Sequence, residues 1–146
     1  MRKSLFSQLK LFRASINNKL SIFYTQKSIQ AGFPSPADDF MDLSIDLNEE
    51  LIQHPSATFY ARVRGDSMIE DGIGDGDLLV VDRSLQIQDG KIAICCLNGE
   101  FTVKRFKKAH DHCWLLPANK AYKPIRVSRE DDFMVWGIVV HVIKSL

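Results

Sequence analysis

Two side chains in this 146-residue sequence have the type and setting for nucleophilic chemistry: Ser67 in Arg64-Gly65-Asp66-Ser67-Met68, and Lys104 in Phe101-Thr102-Val103-Lys104-Arg105-Phe106. A serine hydroxyl is a poor nucleophile until a base within hydrogen-bond reach takes its proton. Lysine can be that base only when neutral, so its ordinary pKa of about 10.4 must fall by roughly three units, which burial among apolar groups supplies. Strand alternation would put Thr102, Lys104 and Phe106 on one face and Phe101, Val103 and Arg105 on the other. Lys104 then shares its surroundings with an aromatic ring and a hydroxyl. Arg105 cannot shed its charge and is expected to reach solvent or an acid. Taken alone, an exposed turn serine and a strand lysine at an interface account for the same residues with no chemistry at all.

The elements around the pair follow from periodicity. Thr58 to Arg64 alternates Phe59, Ala61 and Val63 against Tyr60, Arg62 and Arg64, and reads as a half-buried strand. It runs into a bend rich in glycine and aspartate, Glu70 to Asp77, so Ser67 is expected at a strand-to-turn corner, presented rather than packed. Asp77 to Asp82 is a short apolar strand. Lys91 to Leu97 and Glu100 to Phe106 flank Asn98-Gly99, the strongest hairpin signal in the chain. Trp114 to Pro117, Ile125 to Ser128 and Phe133 to Ile143 read as further strands, the last apolar enough to lie deep in a sheet or at a subunit interface. Asp42 to Gln53 suits a short strand and a helical turn from about Asn48. The spacing predicts a mainly β, antiparallel domain.

Ahead of it, residues 1–30 carry some helical spacing at Leu5, Leu9, Phe12 and Ile16, and read as a mobile arm with one marginal helix. They are too few for a separate helix-turn-helix domain. Residues 1–31 hold six basic residues and no acid, a charge of +6, which leaves −5 on the remainder of a chain whose total is +1. Such an arm can lie on the acidic body or reach an anionic partner. Within Ala31-Gly32-Phe33-Pro34-Ser35-Pro36 the prolines enforce extended backbone, and Ala31 and Gly32 let that backbone approach a catalytic group closely. A plain linker has the same composition.

Other constellations carry less. Asp71-Gly72-Ile73-Gly74-Asp75-Gly76-Asp77 has the look of a calcium loop, but Ile73 stands at the third position and Asp82 at the twelfth. His110-Asp111-His112-Cys113 lacks a second ligand pair. Cys95, Cys96 and Cys113 form neither an even disulfide set nor a zinc pattern and read as reduced thiols, two in a strand and one beside Trp114. No metal or other cofactor is expected. No apolar run reaches the roughly 18 residues of a membrane span, and no signal-peptide core is evident, so a cytoplasmic protein is expected.

The words around the pair resemble those of the LexA/UmuD self-cleaving serine peptidases, peptidase family S24, and most closely its UmuD type. They are Gly-Asp-Ser-Met at Ser67, Asp-Gly-Asp-Leu-Leu-Val-Val-Asp after it, Glu-Phe-Thr-Val-Lys-Arg-Phe at Lys104, and Ala-Gly at 31–32. The resemblance runs from about Ala31 to Lys144. It implies a LexA/UmuD C-terminal-like antiparallel β domain with a short flexible N-terminal arm. It further implies Ser67 as nucleophile, Lys104 as general base, the backbone N–H groups of Asp66 and Ser67 as oxyanion donors, and cleavage between Ala31 and Gly32. Residues 1–31 would then be the arm removed and residues 32–146 the peptidase and dimerisation domain. The implied partners are a RecA filament on single-stranded DNA as activator, a second copy of the chain, and the catalytic subunit of a Y-family polymerase of UmuC type. Through Leu20 to Tyr24 the arm would also touch the polymerase sliding clamp. No sequence-specific DNA binding is implied. A signal-peptidase-like protease, which needs a membrane anchor, and a non-catalytic β-rich interaction module remain the rival readings.

Overall fold

The computed structural model of the chain describes residues 9–14, 21–24 and 43–146. They fall into two compact units, one of residues up to Ala14 together with Ser56–Leu146, the other within Ser15–Pro55. The expected Ala31-Gly32 cleavage site lies outside the described residues.

The smaller unit contains β2 (Ser21–Tyr24) paired antiparallel with β3 (Leu43–Asp46), followed by α1 (Leu47–Leu51). Asp46 ends the strand and caps the helix, its carboxylate accepting from the Asn48 N–H at 3.0 Å. Glu49 and Glu50 in the first turn favour the same N-terminus.

The larger unit is one eight-stranded antiparallel sheet. Its strands are β1 (Leu9–Arg13), β4 (Thr58–Val63), β5 (Leu78–Asp82), β6 (Ile92–Leu97), β7 (Glu100–Lys108), β8 (Cys113–Leu116), β9 (Ile125–Val127) and β10 (Phe133–Ile143). Their order across the sheet is β1-β4-β5-β10-β6-β7-β8-β9, and the sheet curls enough for β1 to touch β7. The antiparallel β class expected from the sequence is therefore what forms. Asn98 and Gly99 take φ of 51° and 85°, turning β6 into β7 as a two-residue hairpin.

Where the sequence suggested a marginal helix, the described part of the arm is strand. Leu9 pairs with Val63 and Arg13 with Phe59, which places Leu9 and Leu11 half-buried against the core and leaves Lys10, Phe12 and Arg13 exposed. Period-two burial against an existing sheet edge outweighs an isolated helix too short to nucleate well.

Apolar side chains collect in two clusters. Ala61, Val63, Met68, Ile73, Leu79, Val81, Ile94 and Val103 form one; Ala93, Cys95, Leu97, Phe106, Leu115, Val127 and Ile138 form the other. The hairpin register pairs Ile94 with Val103, Ala93 with Lys104 and Cys95 with Thr102. Cross-strand partners share a face, so Thr102 and Lys104 go with the second cluster and Val103 with the first. Strand β10, centred between β5 and β6, shifts register at Trp136 and again at Val140. At the first shift Arg83 donates from Nε to the Trp136 carbonyl at 2.8 Å, and its guanidinium lies 4.4 Å from the centre of that indole. The cation–π contact and the hydrogen bond together hold the bulge to the strand end.

Candidate active site

Lys104 sits mid-strand in β7 with 1% of its surface exposed, on a face whose neighbours include Ala93 and Cys95 of β6. Its ammonium would be stripped of water there. That desolvation lowers its pKa to about 8, against a small opposing influence of Cys95. Nζ lies 3.1 Å from Ser67 Oγ, 2.7 Å from Thr102 Oγ1 and 3.1 Å from the Val103 carbonyl oxygen. An ammonium satisfies all three by donating. A neutral amine donates to Thr102 and Val103 and accepts from the Ser67 hydroxyl. The same geometry thus serves either protonation state, and the second is the one in which a serine is activated.

Arg105, one residue on, does the opposite. It donates to the Asp71 carboxylate at 2.9 Å and to the Gly90 carbonyl, reaching the acid that its permanent charge requires. Cys95 is a second ionisable group of the buried face, and burial pushes its thiol up to about 12, so it remains neutral beside Lys104.

The corner that carries Ser67 is built by a sequence of local constraints. Gly65 has φ of 94°, a left-handed conformation costly for any side chain, and its N–H donates to Asp75 at 2.7 Å. Met68 is buried in the first core cluster and anchors the far side of the turn. Ser67 is nevertheless not presented as the sequence suggested: it is 2% exposed. The segment after β8, Pro117 to Pro124, closes over the corner. The Ala118 N–H donates to the Ser67 carbonyl at 2.8 Å, and the Ala118 carbonyl accepts from Glu70 N–H at 2.8 Å. Asn119 Nδ2 donates to the Asp66 carbonyl at 2.9 Å, and the Tyr122 hydroxyl donates to the Asp66 carboxylate at 2.7 Å. That hydrogen bond raises the Tyr122 pKa.

Asn119, Tyr122 and the Asp66 side chain were not singled out from sequence. The signal available was a polar segment between two prolines, which reads as any turn. Its effect is specific, because the Asp66 carbonyl and the Ser67 N–H belong to one planar trans peptide. With that carbonyl held by Asn119 and by the Ile69 N–H at 3.2 Å, the Ser67 N–H is fixed in the opposite direction.

The calcium-like bend is committed internally. Asp71 pairs with Arg105, Asp75 accepts from Gly65, and Asp77 accepts from Gly74 at 2.8 Å and from Lys144. Among the described residues no group of three or more His, Cys, Asp or Glu is arranged to hold a metal ion. His112 instead bonds Asp111 through Nδ1 at 2.6 Å and meets Trp114 edge-on. Cys95, Cys96 and Cys113 are all free thiols. No described helix is long and apolar enough to cross a membrane.

The chain that brings this buried serine and lysine together at one corner of an antiparallel sheet belongs to the Peptidase S24-like family, whose model matches residues 22–140. Within that family it is a UmuD-type protein. It is 43% identical over 120 residues to protein MucA of Salmonella typhimurium, covering 82% of this chain and 81% of that one. Protein ImpA of Escherichia coli is 43% identical over 120 residues, 78% of this chain and 77% of its own. Protein SamA of Salmonella typhimurium is 42% identical over 115 residues, 79% of each.

Proposed function

We propose that the chain is a self-cleaving serine peptidase that cuts its own Ala31–Gly32 bond with Ser67 as nucleophile and Lys104 as general base. The observation that carries this is the 3.1 Å approach of a desolvated lysine amine to the serine hydroxyl. In the reaction Ser67 Oγ attacks the Ala31 carbonyl carbon while its proton passes to Lys104 Nζ. The backbone N–H groups of Asp66 and Ser67 are the oxyanion donors in this reading, supported for Ser67 by the fixed Asp66–Ser67 peptide. Collapse of the tetrahedral species expels the Gly32 amine, protonated by Lys104. Water then hydrolyses the Ser67–Ala31 ester. Residues 1–31 leave as the arm and 32–146 remain as the product. A tethered substrate has a high effective concentration, so cutting needs little binding affinity of its own.

The biological setting follows the UmuD-type kinship. A RecA filament on single-stranded DNA, formed during the SOS response, is the proposed activator. The shortened chain, as a homodimer in the cytoplasm, is the proposed accessory subunit of a UmuC-type, error-prone translesion polymerase, with the sliding clamp a further contact of the arm. The dimer has support in β10, whose Val140, Val142 and Ile143 are 37%, 39% and 41% exposed, an unusual amount of aliphatic surface for one strand.

The test is to incubate purified protein between pH 7 and 10 and weigh the products by mass spectrometry. A fragment beginning at Gly32, formed at a rate independent of protein concentration, is expected. Ser67→Ala and Lys104→Ala should yield none, and a Lys104→Ala protein that cuts at the normal rate would remove Lys104 from its role.

A further inference from the structure

Strand β1 lies at one end of the sheet order, and among the described residues its one strand partner is β4. The alternation of β4 shows what β1 covers. The Val63 N–H bonds to Asp77 and the Val63 carbonyl to Gly76, on the β5 side, whereas the Thr58 carbonyl accepts from Ala14, on the β1 side. By period two, the backbone N–H and C=O groups of Tyr60 and Arg62 also face β1, opposite Phe12 and Lys10. Leu9 and Leu11 meanwhile complete the first core cluster beside Val63 and Ala61. Removing β1 would therefore bare a row of backbone groups and a strip of core together.

We propose that this outer edge of β4 is a strand-acceptor site for an extended segment of a partner protein, closed in the uncut chain by β1 and opened when scission after Ala31 sets β1 free. The opening step rests on the self-cleavage reading; the acceptor edge itself does not. While joined to the body, β1 competes at an effective concentration on the order of millimolar. Once severed in a micromolar solution it loses about a thousandfold of that advantage, and five residue pairs with two half-buried leucines do not retain it. The vacated edge calls for a strand with apolar side chains at two alternate positions, in the register of Leu9 and Leu11. Basic flanks suit it as Lys10 and Arg13 do now, because the remaining body carries −5.

Hydrogen exchange of the full chain in a Ser67→Ala background tests the edge without any cutting. The Tyr60 and Arg62 amides should be protected. In a Leu9→Asp/Leu11→Asp variant they should exchange at least a hundredfold faster, while the Ile94 and Cys95 amides, bonded within the sheet to β10 and β7, stay slow and report an intact sheet. A synthetic peptide of residues 8–15, added at about the millimolar effective concentration of the tethered strand, should restore protection; the same peptide with both leucines changed to aspartate should not. If the aspartates unfold the chain, Lys10→Pro/Phe12→Pro breaks the same pairing at exposed positions. Slow Tyr60 and Arg62 amides in a variant lacking β1 pairing, or no protection by the peptide, overturns the acceptor edge. A separate sample of unmodified chain, incubated at high pH, should gain fast Tyr60 and Arg62 amides in step with the Gly32 fragment. If that fragment never forms, the self-cleavage reading fails and the proposed opening with it, while the first set still judges the edge. If it forms and these amides stay slow, the opening is overturned.

Discussion

Lys104 makes three hydrogen bonds that survive a change of its own protonation state, and its chemistry follows from which state prevails. With its pKa lowered to about 8, roughly one chain in ten carries the neutral amine at pH 7. Self-cleavage should accordingly rise about tenfold per pH unit below 8 and level off above it. A flat profile between pH 6 and 8 would contradict a lysine base. The same shift has a consequence for stability. The folded chain holds Lys104 less firmly protonated than the unfolded chain does, whose lysine titrates at 10.5. Between those values the unfolded state binds more protons, so the contribution of Lys104 to stability increases with pH. Denaturant titration should show the stability of Lys104→Met, relative to the unmodified chain, falling by about 2 kcal/mol between pH 7 and 10. The clasp over the serine corner acts through position. Asn119→Ala and Tyr122→Phe should slow cutting by at least tenfold without moving the pH midpoint. A displaced midpoint would place either residue in the electrostatics of the base.

At the level of elements, what the sequence revealed and what it hid have physical reasons. Strand β10 was legible from end to end, and so was the hairpin at Asn98-Gly99, because continuous β-branched runs and a two-residue turn are local signals. The approach of Lys104 to Ser67 was legible through a lysine among apolar neighbours, and the family words made it specific. The burial of Ser67 was not, because the loop that covers it is brought there by the fold and not by sequence proximity. Nor was β1, since Leu9, Phe12 and Ile16 suit a helix and Leu9 and Leu11 suit a strand, and only the open edge of β4 decides between them. Bulge positions were equally silent. One of them makes a demand on a single residue: a Cβ on Gly137 would stand 2.6 Å from Val81 Cγ1 and 3.2 Å from Arg83 Cγ. Gly137→Ala should cost about 1–3 kcal/mol in chemical denaturation, since Val81 is fully buried and cannot swing aside. A neutral result would mean that β10 slides at the bulge.

At the scale of the whole molecule, charge and apolar surface are unevenly divided. Scission after Ala31 would convert a chain of net +1 into one of −5. Binding of the cut and uncut forms to a common partner should then differ in salt dependence, and equal slopes would dismiss that effect. The aliphatic end of β10 should set the oligomeric state. Val142→Asp should shift the protein toward monomer in sedimentation equilibrium, while leaving the Lys104 environment and the pH midpoint of cutting in place.

Ser67 and Lys104 expose only 2% and 1% of their surfaces. A reagent as large as a fluorophosphonate therefore has to wait for the surrounding chain to part before it can modify the hydroxyl. Its rate of labelling becomes a clock for that parting, readable on a protein whose own peptide bonds are still whole.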